Sequence, residues 1–352
     1  MANRISPPRN VLLIKGYSAG IGDLLRSSAA WRVMRDAWPD ARFHLWFLTQ
    51  EPGYGSEQLI RRHHLISSFH VSDKRTRGWA GWKKLLADGK MLAREHQPDL
   101  ILDFEPNGLR TSLLSRWLAL WSKGRTVGIA QAPFRGWFYS QSAPSTRAYA
   151  KARNLTDSLE FCHRDFVVLA ALGLERNGTP IELQETSEGR DFRLSLMREL
   201  GGSTAPRLMG LNIGCGTQGA ESKRPRMELL VPLVRELQQK HGFGLVLTGA
   251  PNEAEINREF CKKLDSKGLV VDLAGRTNML QLTGAIAACQ LYISSDSGPY
   301  HMAVGLRVPT LALFNSPNAG HYHYHPWIEC LVAPDERSLP ACLEAVGRLL
   351  QG

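Results

Sequence analysis

Leu291-Tyr292-Ile293-Ser294-Ser295-Asp296-Ser297-Gly298-Pro299-Tyr300-His301-Met302-Ala303-Val304, with Pro309-Thr310-Leu311-Ala312-Leu313-Phe314 just after it, decides the fold. Leu291 to Ser294 is a short apolar run behind a helical pattern and reads as a buried strand. Ser295 to Pro299 stops it. Asp296 or Ser297 can cap a helix whose first turn holds Pro299, where the missing N–H costs nothing. His301, Met302 and Val304 fall in the first turns of that helix, and 309–314 is the next strand. Strand, tight glycine turn, helix and strand in this order aim free amides and a positive dipole end at the carboxyl edge of a parallel sheet. A phosphate group binds readily there.

Working outward, the second half alternates cleanly. Strands are expected at 207–213, 244–249, 269–273, 291–294 and 310–315, and helices at 226–240, 252–265, 279–289 and 337–350. The first half offers strands at 11–15, 43–48, 65–71 and 100–104, with helices to about residue 37, at 80–95, at 109–122 and at 163–174. Such alternation predicts α/β halves with parallel sheets. We expect two Rossmann-like domains, 1–180 and 207–352, joined by a linker at about 181–206, with the last helix able to pack back on the N-terminal domain. With their sheets facing a central cleft, two such halves make the GT-B architecture.

The 352 residues suffice for two domains, and 43% hydrophobic with 22% charged residues is ordinary for a globular chain. The apolar run Val11–Ile14 is too short for a signal peptide, and no stretch approaches the ~18 apolar residues of a spanning helix. Cys162, Cys215, Cys261, Cys289, Cys330 and Cys342 are scattered without a CxxC pair, which reads as reduced thiols in a cytoplasmic protein. The net charge of +10 suits an anionic partner. Without zinc-finger spacing or an RNP-like aromatic strand, nucleic acid ranks last. A phosphorylated substrate or an acidic membrane surface remains.

The stretch Ser295–Pro317, SDSGPYHMAVGLRVPTLALFNSP, resembles the S-N/D-D-T/S-G-P-x-H-x-A-x-x-x-x-x-P-T-x-x-L-F-G-x-T signature of the family 9 glycosyltransferases, which include the heptosyltransferases of lipopolysaccharide core assembly. Asp272 to Ser294 is similar to the family's segment before it. The beginning of the chain, with its strand at 11–15, the turn Gly16–Asp23 and the helix to about Ala37, resembles the family's I-R-x-S-x-x-G-D-V-L-L-x-T-P-A-L-R-x-L-R-x-x-F-P-x-A, and 99–110 its D-x-x-I-D-L-x-G-x-x-R-S. Four departures stand out. Asn315 replaces a Gly, Ala29 a Pro and Pro225 a Trp, and the loop from Lys15 to Gly22 is two residues longer than the family pattern.

The resemblance implies an inverting, metal-independent glycosyltransferase with no cofactor. It would move a sugar, heptose from ADP-heptose first among candidates, to an anionic lipopolysaccharide core or related glycan acceptor, on the cytoplasmic side and with a peripheral contact to the inner membrane. Gly22 is expected among the donor-binding residues, and Asp23, which follows it at a strand's carboxyl end, is the first choice for the base that takes the acceptor hydroxyl's proton. The competing reading is a first-turn Asp that complements its helix dipole. Lys223 should meet the donor diphosphate, whose charge grows as the sugar bond breaks, with Thr217 and Arg224 in the same loop; otherwise that loop is merely a solvated basic one. Glu253 can accept ribose hydroxyls or serve as a helix N-terminal acid. Asp296 would contact the sugar or shape the turn, Ser297 and Gly298 would hold phosphate, and His301 would help or simply pack.

His321, His323 and His325 alternate, so on a strand they would share a face and could bind metal; the family's chemistry needs none. Leu109, Leu113, Trp117 and Trp121 recur at four-residue steps, as an inward-facing stripe or a membrane-surface one. Residues 131–157, basic and aromatic, either shape an acceptor site or form a surface loop. Two further readings use the same architecture, a nucleotide-sugar 2-epimerase and a non-catalytic nucleotide-sugar-binding protein. A Rossmann dehydrogenase is disfavoured because no G-x-G-x-x-G opens the first helix.

Overall fold

The computed structural model describes residues 7–16, 20–75, 78–155, 163–215, 221–316 and 321–351. The chain divides into two compact units, Met1–Thr179 and Pro180–Gly352.

The first unit holds strands β1 (Asn10–Lys15), β2 (Arg42–Thr49), β3 (Ser68–Asp73), β4 (Leu100–Asp103), β5 (Arg125–Ile129) and β6 (Gln141–Ala143). They form one sheet in the order β3-β2-β1-β4-β5-β6, with every neighbouring pair parallel. The central strands are buried on both faces, which is why Val11–Ile14 and Phe43–Leu48 read as near-continuous apolar runs. Around the sheet lie α1 (Ile21–Leu25), α2 (Ser28–Ala37), α3 (Ser56–Arg61), α4 (Gly78–His96), α5 (Arg110–Ser122), α6 (Thr146–Ala152) and α7 (His163–Ala170).

Helix α5 corrects the expected stripe. Its buried face is Thr111, Ser112, Leu114, Ser115 and Leu118, while Leu109, Leu113 and Leu120 are exposed. A strict four-residue spacing drifts by about 40° per step on a helix of 3.6 residues per turn, so it cannot stay on one face. Trp117 has turned toward α4, where its indole N–H donates to the Leu86 carbonyl at 2.9 Å.

The second unit holds β7 (Leu208–Asn212), β8 (Gly244–Thr248), β9 (Val270–Asp272), β10 (Leu291–Ser294), β11 (Thr310–Phe314) and β12 (Ile328–Val332). The order is β12-β11-β10-β7-β8-β9, again all parallel. Its helices are α8 (Ser187–Glu199), α9 (Met227–His241), α10 (Ala254–Leu264), α11 (Met279–Ala287), α12 (Gly298–Gly305) and α13 (Leu339–Leu349). The terminal helix α13 buries Cys342, Ala345, Val346 and Leu349 in the same core as Leu229, Leu233 and Leu311, so its apolar face is used within its own unit.

The stretch 181–206, read as a linker, contains α8, which packs on α11. A Cβ on Gly284 would stand 1.8 Å from the Gly189 carbonyl oxygen, an approach only two bare backbones permit.

Each sheet reverses its strand order once, between β1 and β4 in the first unit and between β7 and β10 in the second. Ligands of open α/β sheets bind outside the carboxyl ends of the strands at such switch points.

Candidate active site

At the second switch point the loop after β7 and the turn after β10 meet. Lys223, on a single 3-10 turn at Glu221–Lys223, places Nζ 2.8 Å from Oδ2 of Asp296. His321 brings Nδ1 to 2.7 Å from the same oxygen. Burial pushes the Asp296 carboxyl up, but the hydrogen bonds from His321 and Lys223 outweigh it and hold the group below the usual carboxylate range. Half-exposed Lys223 therefore stands over a largely buried, ionised partner, so its charge is fixed in place rather than free on a loop.

Ser297 caps α12, its Oγ accepting from the Tyr300 N–H at 3.5 Å and lying 2.9 Å from Ser294 Oγ. Gly298 is the first helical residue. His301 is buried, with Nδ1 2.9 Å from Nε2 of buried His323, whose own N–H donates to the Tyr300 hydroxyl at 3.2 Å. His301 is thus part of an imidazole pair. His325 stacks on Trp327, with ring centroids 4.8 Å apart. The three alternating histidines therefore go to three different partners. They do not share a strand face, because 321–327 lies before β12 and not on it. Among the described residues no group of three or more His, Cys, Asp or Glu is placed to hold a metal ion.

Asn315, one of the departures from the family signature, holds the basic loop. From the end of β11 its side-chain amide donates to the Ser222 carbonyl at 2.9 Å and also to the carbonyl of Arg224. Arg224 lies 3.9 Å from Glu221. Glu253 is buried, and its Oε2 accepts from the Ala250 N–H at 2.7 Å, which is a helix-cap contact. Its other oxygen lies against the end of β7, where a Cβ on Gly214 would fall 1.7 Å from Oε1. Thr217 lies outside the described residues.

At the first switch point Asp23 sits in the opening turn of α1, behind buried Gly22, and pairs with Arg26 at 3.1 Å. A pocket beside it is lined by Lys15, Asp23, Arg26, Phe104, Glu105, Pro106, Arg164 and Asp165. Lys15 Nζ is bonded to both carboxylate oxygens of buried Asp165, at 2.9 and 3.1 Å. Glu105 accepts the Gly16 N–H at 3.0 Å. The lengthened loop falls partly on residues 17–19, outside the described ones.

Reading by motif missed Glu105, Arg26, Arg164 and Asp165. A topological signal was present for Glu105, which lies two residues past β4 on the other side of the same switch point as Asp23. Asp165 had none, because its partnership with Lys15 spans 150 residues.

The family description "Glycosyltransferase family 9 (heptosyltransferase)" matches residues 165–336. Lipopolysaccharide heptosyltransferase 3 of Escherichia coli (strain K12) is 29% identical over 96 residues, 27% of each chain, so the match spans about a quarter of that relative's length. Among solved structures, a family 9 glycosyl transferase from Veillonella parvula DSM 2008 superposes with a TM-score of 0.72 at 19% identity, covering 97% of both chains. The E. coli heptosyltransferase WaaC with ADP gives 0.68 at 16% identity, covering 97% of this chain and 99% of that one. These two likenesses establish the fold as GT-B. Over residues 165–336, just under half of the chain, the sequence is similar to glycosyltransferase family 9, the heptosyltransferase family.

Proposed function

We propose that this protein transfers a heptose from ADP-heptose, with inversion and without a metal, to a lipopolysaccharide core or related anionic glycan acceptor. The observation that carries the reading is the Lys223–Asp296 contact at the second switch point, beside the N-terminus of α12. A cation and a row of helix amides at one place suit a diphosphate leaving group. They stabilise it most as the bond to the sugar breaks, which lowers the barrier and not merely the ground state. The ADP in one structural relative supports a nucleotide in this role.

The second unit then holds the donor. Lys223, Ser297 and the Gly298 amide take the diphosphate, with Arg224 and Thr217 in the same loop. Glu253 is assigned to the ribose, Asp296 faces the sugar, and His301 steadies the turn. On the first unit, which holds the acceptor, Asp23 takes the proton of the attacking hydroxyl. The hydroxyl becomes acidic only as the new bond forms, so a carboxylate is a strong enough base. The +10 net charge fits an anionic acceptor and a peripheral position on the cytoplasmic face of the inner membrane. Among the described residues no helix is long and apolar enough to cross a membrane.

The test is incubation with ADP-heptose and a truncated core acceptor, read by mass spectrometry. The acceptor should gain one heptose residue as ADP is released. A change in the donor alone would indicate an epimerase, and no change in either substrate would indicate a binding protein.

A further inference from the structure

Past β5 the chain makes a 3-10 turn at Arg135–Phe138 that displays two aromatic rings to water. Phe134 is 65% exposed and Trp137 80% exposed, and their rings meet edge to face with centroids 4.8 Å apart. Arg135, one of the two residues between them in sequence, is fully buried. Arg135 donates through Nη2 to Asp103 Oδ2 at 2.9 Å and to Thr111 Oγ1 at 3.2 Å, and through Nε to the Tyr139 hydroxyl at 3.1 Å. Nη2 also donates to the Glu105 carbonyl and Nη1 to that of Gly108, and the Tyr139 hydroxyl donates to Asp103 at 2.6 Å. Phe134 itself sits at φ 63°, a left-handed conformation that a bulky residue adopts only when its surroundings impose it.

A buried ion pair is costly unless its donors are satisfied. Here five contacts satisfy it, and the result is a rigid turn that leaves two large aromatics uncovered. Half-exposed Leu109 follows Gly108, the residue tied to Arg135, and adds apolar surface next to the turn.

Charge indicates what covers this surface. Residues 1–179 carry 26 Lys and Arg against 15 Asp and Glu, whereas 180–352 carry 17 against 18. The whole positive excess of the protein is therefore on the unit that displays the aromatic turn. Aromatic tips on a unit with this excess of basic residues match the interface of an anionic bilayer, where rings lie at headgroup depth and basic side chains meet lipid phosphate.

We propose that the Phe134–Trp137 turn inserts into the headgroup region of an anionic bilayer while the basic first unit holds the protein there by charge. This deepens the peripheral membrane contact proposed above by naming the element that makes it. Of the 109–122 stripe, Leu109 lies beside this turn.

Co-sedimentation of the full chain with phosphatidylcholine vesicles, with and without about one third phosphatidylglycerol, tests it. Wild type should bind the anionic vesicles, and Phe134→Ser/Trp137→Ser should bind them at least ~10-fold more weakly. Both side chains are in water, so the melting temperature should not move. Bromine on the acyl chains should quench wild-type tryptophan emission, and Trp137→Phe should keep binding but lose most of the quenching. Equal binding of wild type and the double variant would leave a purely electrostatic contact and overturn the insertion. Absence of wild-type binding would overturn both the contact and the insertion. A dimer abolished by the double variant, with vesicle binding unchanged, would assign the turn to a second copy of the chain and also overturn the proposal.

Discussion

The Lys223 ammonium stands 2.8 Å from Oδ2 of Asp296, and this contact joins the loop after β7 to the turn after β10. The two elements are neighbours only because the sheet reverses its order between those strands. Asp296 is held as an anion by two donors on one oxygen, Lys223 and His321. Lys223→Ala should weaken donor binding and lower kcat/KM by about 10²-fold, the scale of losing one electrostatic stabiliser of a leaving group. Titration with ADP and steady-state kinetics check it. Wild-type kinetics would mean that the diphosphate binds elsewhere.

Asn315 supports that lysine from behind by bonding the carbonyls on either side of it. Asn315→Ala should raise the donor KM by roughly 3- to 10-fold, about the worth of one net hydrogen bond. Because no charge is removed, kcat should fall less than in Lys223→Ala. A variant with altered melting temperature but unchanged KM would show that the contact serves folding alone.

His44 supplies a pH dependence in the first unit. It is buried on β2, stacked on His96 with ring centroids 3.9 Å apart. Burial first, then repulsion from His96 and Arg42, brings it down to about 4. Its folded value lies below the unfolded value of 6.5, so the stability it contributes is present above 6.5 and lost as pH falls toward 4. The melting temperature should decline over that window, and His44→Asn should flatten the decline. An unchanged slope in the variant would place the acid sensitivity elsewhere.

Strongly patterned elements were legible in the sequence. The central strands of both sheets are apolar runs because they are covered on both faces, and the Ser297–Gly298–Pro299 turn announces its own helix cap. Three edge or near-edge strands were not legible. The strand β5 contains Gly128, needed because the Tyr139 ring lies 2.2 Å from where a Cβ would stand, β6 is three residues long, and β12 is half-exposed and mixed in polarity. The long-range pairs Lys15–Asp165, Arg135–Asp103 and His301–His323 leave no local trace, because each joins residues on different elements. Similarly, the three alternating histidines suggest one shared face until the chain is seen to run irregularly through them.

The most direct test of the account is Asp23→Asn, with turnover, donor affinity and melting temperature measured on one preparation. Asn keeps the size and hydrogen-bonding reach of Asp23, including contact with Arg26, but cannot take a proton. Turnover from ADP-heptose should fall by about 10²–10⁴-fold, as expected for removal of a general base, with donor affinity nearly intact because its proposed contacts lie on the other unit. Near-normal turnover with a lowered melting point would contradict the account and leave Asp23 as a first-turn acid that pairs with Arg26.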